Sequence, residues 1–164
     1  WKTFIGKNVY YYLYYFKLQD SRKSKTAFNF SAFFFSPLYF LYRKVWKYFA
    51  ISLVVNIILN IPSMISYYLI PGGYMAAASL VAWESAATIC SLLSVVIHIL
   101  WGIYGVWLYR KDAVRKMTAL HMECSSEEEY EAKLSKISGP SVAALLIFVG
   151  VVCLLSIASS LFIR

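Results

Sequence analysis

Long uncharged apolar runs alternate along this chain with short basic segments. Tyr48 to Ile70 is twenty-three residues without a charge, enough for a helix rising about 1.5 Å per residue to cross a hydrocarbon core of about 30 Å. It ends at Pro71-Gly72-Gly73, which favours a turn. Tyr74 to Tyr109 is interrupted only by Glu84. That run is too long for one span and too short for two with a loop. The span is therefore placed at residues 85–109, with Met75 to Trp83 an apolar segment at the far interface and Glu84 at the water boundary, where ionisation costs little. Val142 to Ile163 supplies a third run of twenty-two uncharged residues.

The fold class predicted is all-α, an integral membrane protein with spans at 48–70, 85–109 and 142–163. Ahead of them, Ala27 to Tyr42 is sixteen residues, about 24 Å as a helix and short of a span. Pro37 would break or bend it, and Arg43, Lys44 and Lys47 follow at once. Residues 27–47 therefore read as a bent interfacial or re-entrant element, anchored by Phe33, Phe34, Phe35, Pro37, Tyr42, Arg43, Lys44 and Trp46. A short tilted span is the alternative. Residues 1–26 are a basic, aromatic segment read as a helix on the membrane surface, with a strand as the second reading. The membrane domain is residues 27–164.

Residues 110–139 are polar and predict two short helices on the cytoplasmic side. The first continues beyond Tyr109 to about Met122. The second begins after Ser126, whose spacing to Glu129 makes a capping box, and carries Tyr130, Leu134 and Ile137 on one face until Gly139-Pro140 stops it.

Polar and small residues recur at helical spacing on the spans. Ser52, Asn56, Asn60 and Ser63 share a face of the first, which should turn towards protein rather than lipid. Ser91, Ser94, His98, Gly102 and Gly105 share a face of the second, where Gly102 and Gly105 allow close helix approach, as Gly150 does on the third.

Composition agrees with a membrane location. The 164 residues are 60% hydrophobic and 15% charged, against about a quarter charged in a soluble domain. The net charge of +8 comes from 16 Lys and Arg against 8 Asp and Glu. These basic residues bracket the spans instead of forming a nucleic-acid footprint. By the positive-inside rule the N-terminus is cytoplasmic and the C-terminus extracytoplasmic. Cys90, Cys124 and Cys153 show no CxxC spacing, so no metal centre, disulfide framework or cofactor is expected.

The run FNFSAFFFSPLYFLYRKVW, Phe28 to Trp46, resembles the hallmark of an uncharacterised bacterial membrane family catalogued as a domain of unknown function, approximately FNWAAFFFGPLWLLYRKMY. Departures include Phe30 for Trp, Ser36 for Gly, Tyr39 for Trp and Val45 for Met. Tyr11 to Leu18 and Gly102 to Met117 are also similar to family members. The resemblance implies a small helical plasma-membrane protein, often preceded by a cytoplasmic zinc ribbon. Such a ribbon needs paired CxxC motifs and would lie upstream of Trp1. No activity comes with the resemblance.

Catalysis has no support: His121 and Cys124 lie three apart without an orienting acid, and no phosphate-cradling glycine loop is present. The leading expectation is an accessory or scaffold subunit binding a larger membrane protein or its own copies. The second is a transporter or channel component using His98, Asn56, Asn60 and Ser94, since an intramembrane histidine is a candidate for proton or ion handling. The third is a sensor of lipid or envelope state, with membrane lipids attracted to the basic aromatic element 28–47.

Overall fold

The computed structural model describes residues 1–68 and 77–162, and the predicted turn at Pro71-Gly72-Gly73 lies outside the described residues. Among these, every regular element is helical: α1 (Lys2–Ile5), α2 (Val9–Ser21), α3 (Phe30–Phe34), α4 (Ser36–Tyr42), α5 (Trp46–Tyr68), α6 (Ala77–Glu123), α7 (Glu127–Ile137) and α8 (Val142–Phe162). Of these, α5, α6 and α8 provide three helices long and apolar enough to cross a membrane. The expected all-α membrane class is therefore the one observed.

The bent element before the spans is α3 followed by α4. Asn29 caps α3, its side chain accepting from the Ala32 N–H at 3.0 Å. Phe35 breaks the helical path, and Pro37 stands in the first turn of α4, where its missing N–H costs nothing. At five and seven residues, neither helix approaches the length of a span.

The second span begins earlier than expected. Ala77 to Trp83 belong to the same continuous helix as residues 85–109, and Glu84 lies inside it rather than at its start. A single glutamate does not interrupt helix hydrogen bonding, and the alanines around it favour helix. At 47 residues, α6 is about 70 Å long, more than twice the hydrocarbon thickness. Its last turns project beyond the apolar run, as expected of residues 110–122.

The segment after α6 follows its predicted chemistry. The Ser126 hydroxyl accepts from the Glu129 N–H at 3.2 Å, and the Glu129 carboxylate accepts in return from Ser125 N–H at 3.1 Å. Lys133 pairs with Glu129 at 2.7 Å, one turn on.

Burial is concentrated at one end. The core comprises Phe4 and Ile5 of α1, Tyr12 and Phe16 of α2, Ala27, Ala32, Tyr39, Phe40, Val45, then Val106, Tyr109 and Ala113 of α6, and Leu134 of α7. Residues 1–26 contribute Phe4, Ile5, Tyr12 and Phe16 to the same core as residues of 27–47. Away from this base the spans expose their apolar side chains, as suits helices whose surroundings are lipid.

Helix α5 runs antiparallel to α6, with Tyr48 sharing a cleft with Lys111, and Val55 sharing one with Ile97 and Leu100. Helix α8 meets the rest of the chain at its beginning. Leu145 closes a cleft with Phe35, Leu38 and Tyr42, and Phe148 packs edge-on to Phe49 with ring centroids 5.4 Å apart.

Candidate functional site

The aromatic base is organised around Arg43. An arginine just after an apolar aromatic run is expected at the headgroup layer, but here it is 5% exposed. Its Nη1 donates to the Ile5 carbonyl at 3.0 Å and its Nη2 to the Lys7 carbonyl at 3.1 Å. The guanidinium lies 4.3 Å from the centroid of Tyr12 and 5.3 Å from that of Tyr109. Planar donors and a delocalised charge suit arginine to bridging two carbonyls while stacked on tyrosines. The consequence is a fixed N-terminus: α1, whose four residues cannot hold a helix alone, is stitched onto α4.

Lys44 also turns inward. It adopts a left-handed backbone with φ 57° at the end of α4, and its Nζ donates to the Ser138 carbonyl at 2.9 Å. Lys116 donates to the Lys44 carbonyl at 2.6 Å and pairs at 2.7 Å with Asp112, which Arg115 also holds at 2.6 Å. Lys44 thus ties the α7–α8 connection to α4. Two further backbone bonds hold it, Gly139 N–H to Phe4 O at 2.9 Å and Ser141 N–H to Tyr42 O at 2.8 Å.

The rest of the anchor set divides. Phe34, Phe35 and Trp46 are exposed, and Pro37 sets the break between α3 and α4. Phe33 faces α6, and Tyr42 contributes its carbonyl to the Ser141 bond.

Gly102 and Gly105 are packing positions within this chain. A Cβ added to Gly102 would lie 3.0 Å from Phe28 Cε2 and 3.0 Å from Phe33 Cβ, and one added to Gly105 would lie 2.7 Å from Ala32 Cβ. The approach is close enough for backbone pairing. Asn29 N–H donates to the Gly102 carbonyl at 2.8 Å and Ala27 N–H to the Ile103 carbonyl at 2.9 Å, using second lone pairs of helical carbonyls. These glycines face α3 and its approach, so they leave no surface for another subunit. Around Gly150, by contrast, nothing lies within 4 Å of an added Cβ; the close packing expected there has no partner among the described residues.

The polar side chains of the two spans bond within their own helices. Asn56 Nδ2 donates to the Ser52 carbonyl and Asn60 Nδ2 to the Asn56 carbonyl, both at 2.8 Å. His98 Nδ1 lies 2.8 Å from the Ser94 carbonyl and 3.4 Å from its hydroxyl. Each side chain is satisfied one turn back on its own helix. His98 shares a small cleft with Phe33 and Phe34 of α3. Among the described residues, no bond joins it to Asn56 or Asn60.

Titration in the base is shaped by burial and pairing. Burial holds the Tyr39 phenol well above its ordinary value, reinforced by Tyr12, whose hydroxyl is 3.3 Å away. Burial also pushes Tyr11 up to about 12, with Tyr15 and Tyr12 adding to the shift. Asp20 is held below its usual range by its hydrogen bond to Arg110. That pair is bidentate, 2.8 Å at each oxygen, and joins α2 to α6.

The Gly6–Gly139 contact has no signal along the chain. Both glycines have positive φ, and a Cβ on Gly6 would come 2.9 Å from Gly139 Cα. Two isolated glycines 133 positions apart carry no local pattern, and only the folded base brings them together.

No curated protein and no solved structure matches this chain. Residues 7–115 match the family described as Protein of unknown function (DUF2628), a stretch running from just before α2 into the projecting part of α6 and taking in most of the aromatic base. The chain belongs to the DUF2628 family.

Proposed function

We propose that this chain is a small accessory or scaffold subunit of a bacterial membrane protein complex, with α8 as the helix that engages the partner. The observation carrying this reading is the separation of α8 from its own chain. Every residue from Val149 to Ser160 is exposed, and Gly150 presents a bare backbone. α5 and α6 pack along one another and share the base, whereas among the described residues α8 is held only where it starts. Small residues that expose backbone to a neighbouring helix favour close association in lipid.

Orientation follows from charge. Nine basic residues lie between Lys2 and Lys47 and six between Arg110 and Lys136, all at the end occupied by the base. The positive-inside rule assigns that end to the cytoplasm and sends the C-terminus of α8 outward. The role of the base in this reading is to set the position of α8, through the Lys44, Phe4 and Tyr42 bonds to the 138–141 connection.

The test is purification from native membranes in mild detergent, with quantitative mass spectrometry of retained protein. A partner at fixed stoichiometry, either a larger protein or a second copy, is expected, and Gly150→Leu should release it. A wild-type chain recovered as a bare monomer overturns the reading.

A further inference from the structure

A cleft of about 560 Å³ opens between α5 and α6, walled by Val55, Leu100, Trp101, Tyr104 and Trp107, with Lys25 at its edge. The volume lies within the range of about 300–1,000 Å³ typical of ligand sites. The lining is apolar except for Lys25, and Lys111, which stands outside that lining, approaches the same Trp107 ring. Lys25 Nζ is 5.1 Å from the Trp107 ring centroid and Lys111 Nζ is 5.2 Å from the same centroid. Among the described residues neither lysine has a carboxylate in ion-pairing distance. Asp112, next in sequence to Lys111, is already held by Arg115 and Lys116.

Two ammonium groups beside one indole attract an anion to it. An indole at this level of a span belongs at the headgroup layer. We propose that this cleft binds an anionic phospholipid, with an acyl chain along Val55, Leu100 and Tyr104 and the phosphate against Lys25 and Lys111. The apolar wall continuing down the span from the two ammonium groups favours a lipid over a free anion, which would use only the charged end. The site lies on α5 and α6 and is independent of the role proposed for α8.

The test uses the full chain in phosphatidylcholine vesicles containing a small fraction of phosphatidylglycerol brominated on its acyl chains. A second set carries the same fraction of brominated phosphatidylcholine. Tryptophan quenching reads lipid occupancy. The anionic lipid should quench in excess, Lys25→Gln should reduce its enrichment on the order of fivefold, and Lys25→Gln with Lys111→Gln should abolish it. Both lysines are exposed, so these changes leave the fold intact, and an unchanged circular dichroism spectrum verifies this. Replacing Trp101 and Trp107 by Phe should remove the excess and locate it in the cleft. Equal quenching by both lipids, or excess unchanged in the double variant, overturns the proposal. Release of the excess by millimolar inorganic phosphate at constant ionic strength would reassign the site to free phosphate and overturn it too.

Discussion

Gly105 of α6 lies against Ala32 of α3 so closely that a methyl group on the glycine would sit 2.7 Å from the alanine Cβ. Neither atom is the end of a flexible side chain, so the helices must separate to admit it. Gly105→Ala should therefore destabilise the base by about 1–3 kcal/mol through overpacking, despite the better helix propensity of alanine. The check is thermal unfolding in detergent. Gly150→Ala, where an added Cβ meets nothing within 4 Å, should leave stability unchanged or raise it. Equal loss at both positions would contradict the packing described.

Arg43→Met should free the N-terminus. The Ile5 and Lys7 carbonyls lose their donors, at a cost of about 1–3 kcal/mol for buried groups left unpaired. Limited proteolysis should then cut within residues 1–7 of the variant before any other site. Arg43→Lys should not restore protection, because one ammonium cannot donate to both carbonyls in the fork geometry while stacked on Tyr12. Wild-type resistance in either variant would contradict the role assigned to Arg43.

The base should weaken in alkali. The neutral Tyr39 phenol is favoured in the folded state, so its ionisation leaves stability untouched below the ordinary tyrosine value of 10.0. Stability then falls as pH rises above that value, because the unfolded chain gives up the proton first. Melting temperature measured from pH 9 to 12 should decline steeply in its upper part. Tyr39→Phe should flatten that decline, and an unchanged slope would count against burial as the cause.

Much of this architecture is legible in the sequence because lipid imposes a simple rule. Uncharged runs of sufficient length become helices, and Pro37 and Ser126 mark where shorter helices start. Side-chain direction was harder to read. Arg43 and Lys44 follow an aromatic run, a pattern shared by residues that reach the headgroups and residues that fold back onto carbonyls. The four-residue spacing of Ser52, Asn56 and Asn60 lines up one helix face, yet it also lets each amide bond to the carbonyl one turn before it. His98 and Ser94 share that ambiguity. In α2 the aromatics surround the helix, so periodicity could not mark Tyr12 and Phe16 as the side facing α6. The small face of Gly102 and Gly105 signalled close approach without naming the neighbour, which proved to be α3.

The polar stripes predict tolerance. Among the described residues Asn56 and Asn60 bond only to their own helix, so Asn60→Leu, at an exposed position, should leave folding unaffected. His98→Gln should likewise leave the melting temperature within a degree or two of wild type. A large loss in either would show that these side chains have partners that the helix-internal bonds do not account for.

The central claim is that α8 serves a partner, and site-specific photo-crosslinking from Leu154 tests it most directly. Leu154 is 68% exposed and lies one helical turn beyond Gly150, on the same face. In native membranes a photoreactive residue there should give one protein adduct of defined mass, lost when Gly150 is changed to Leu. Adducts with lipid alone, or a protein adduct indifferent to Gly150→Leu, would contradict the account.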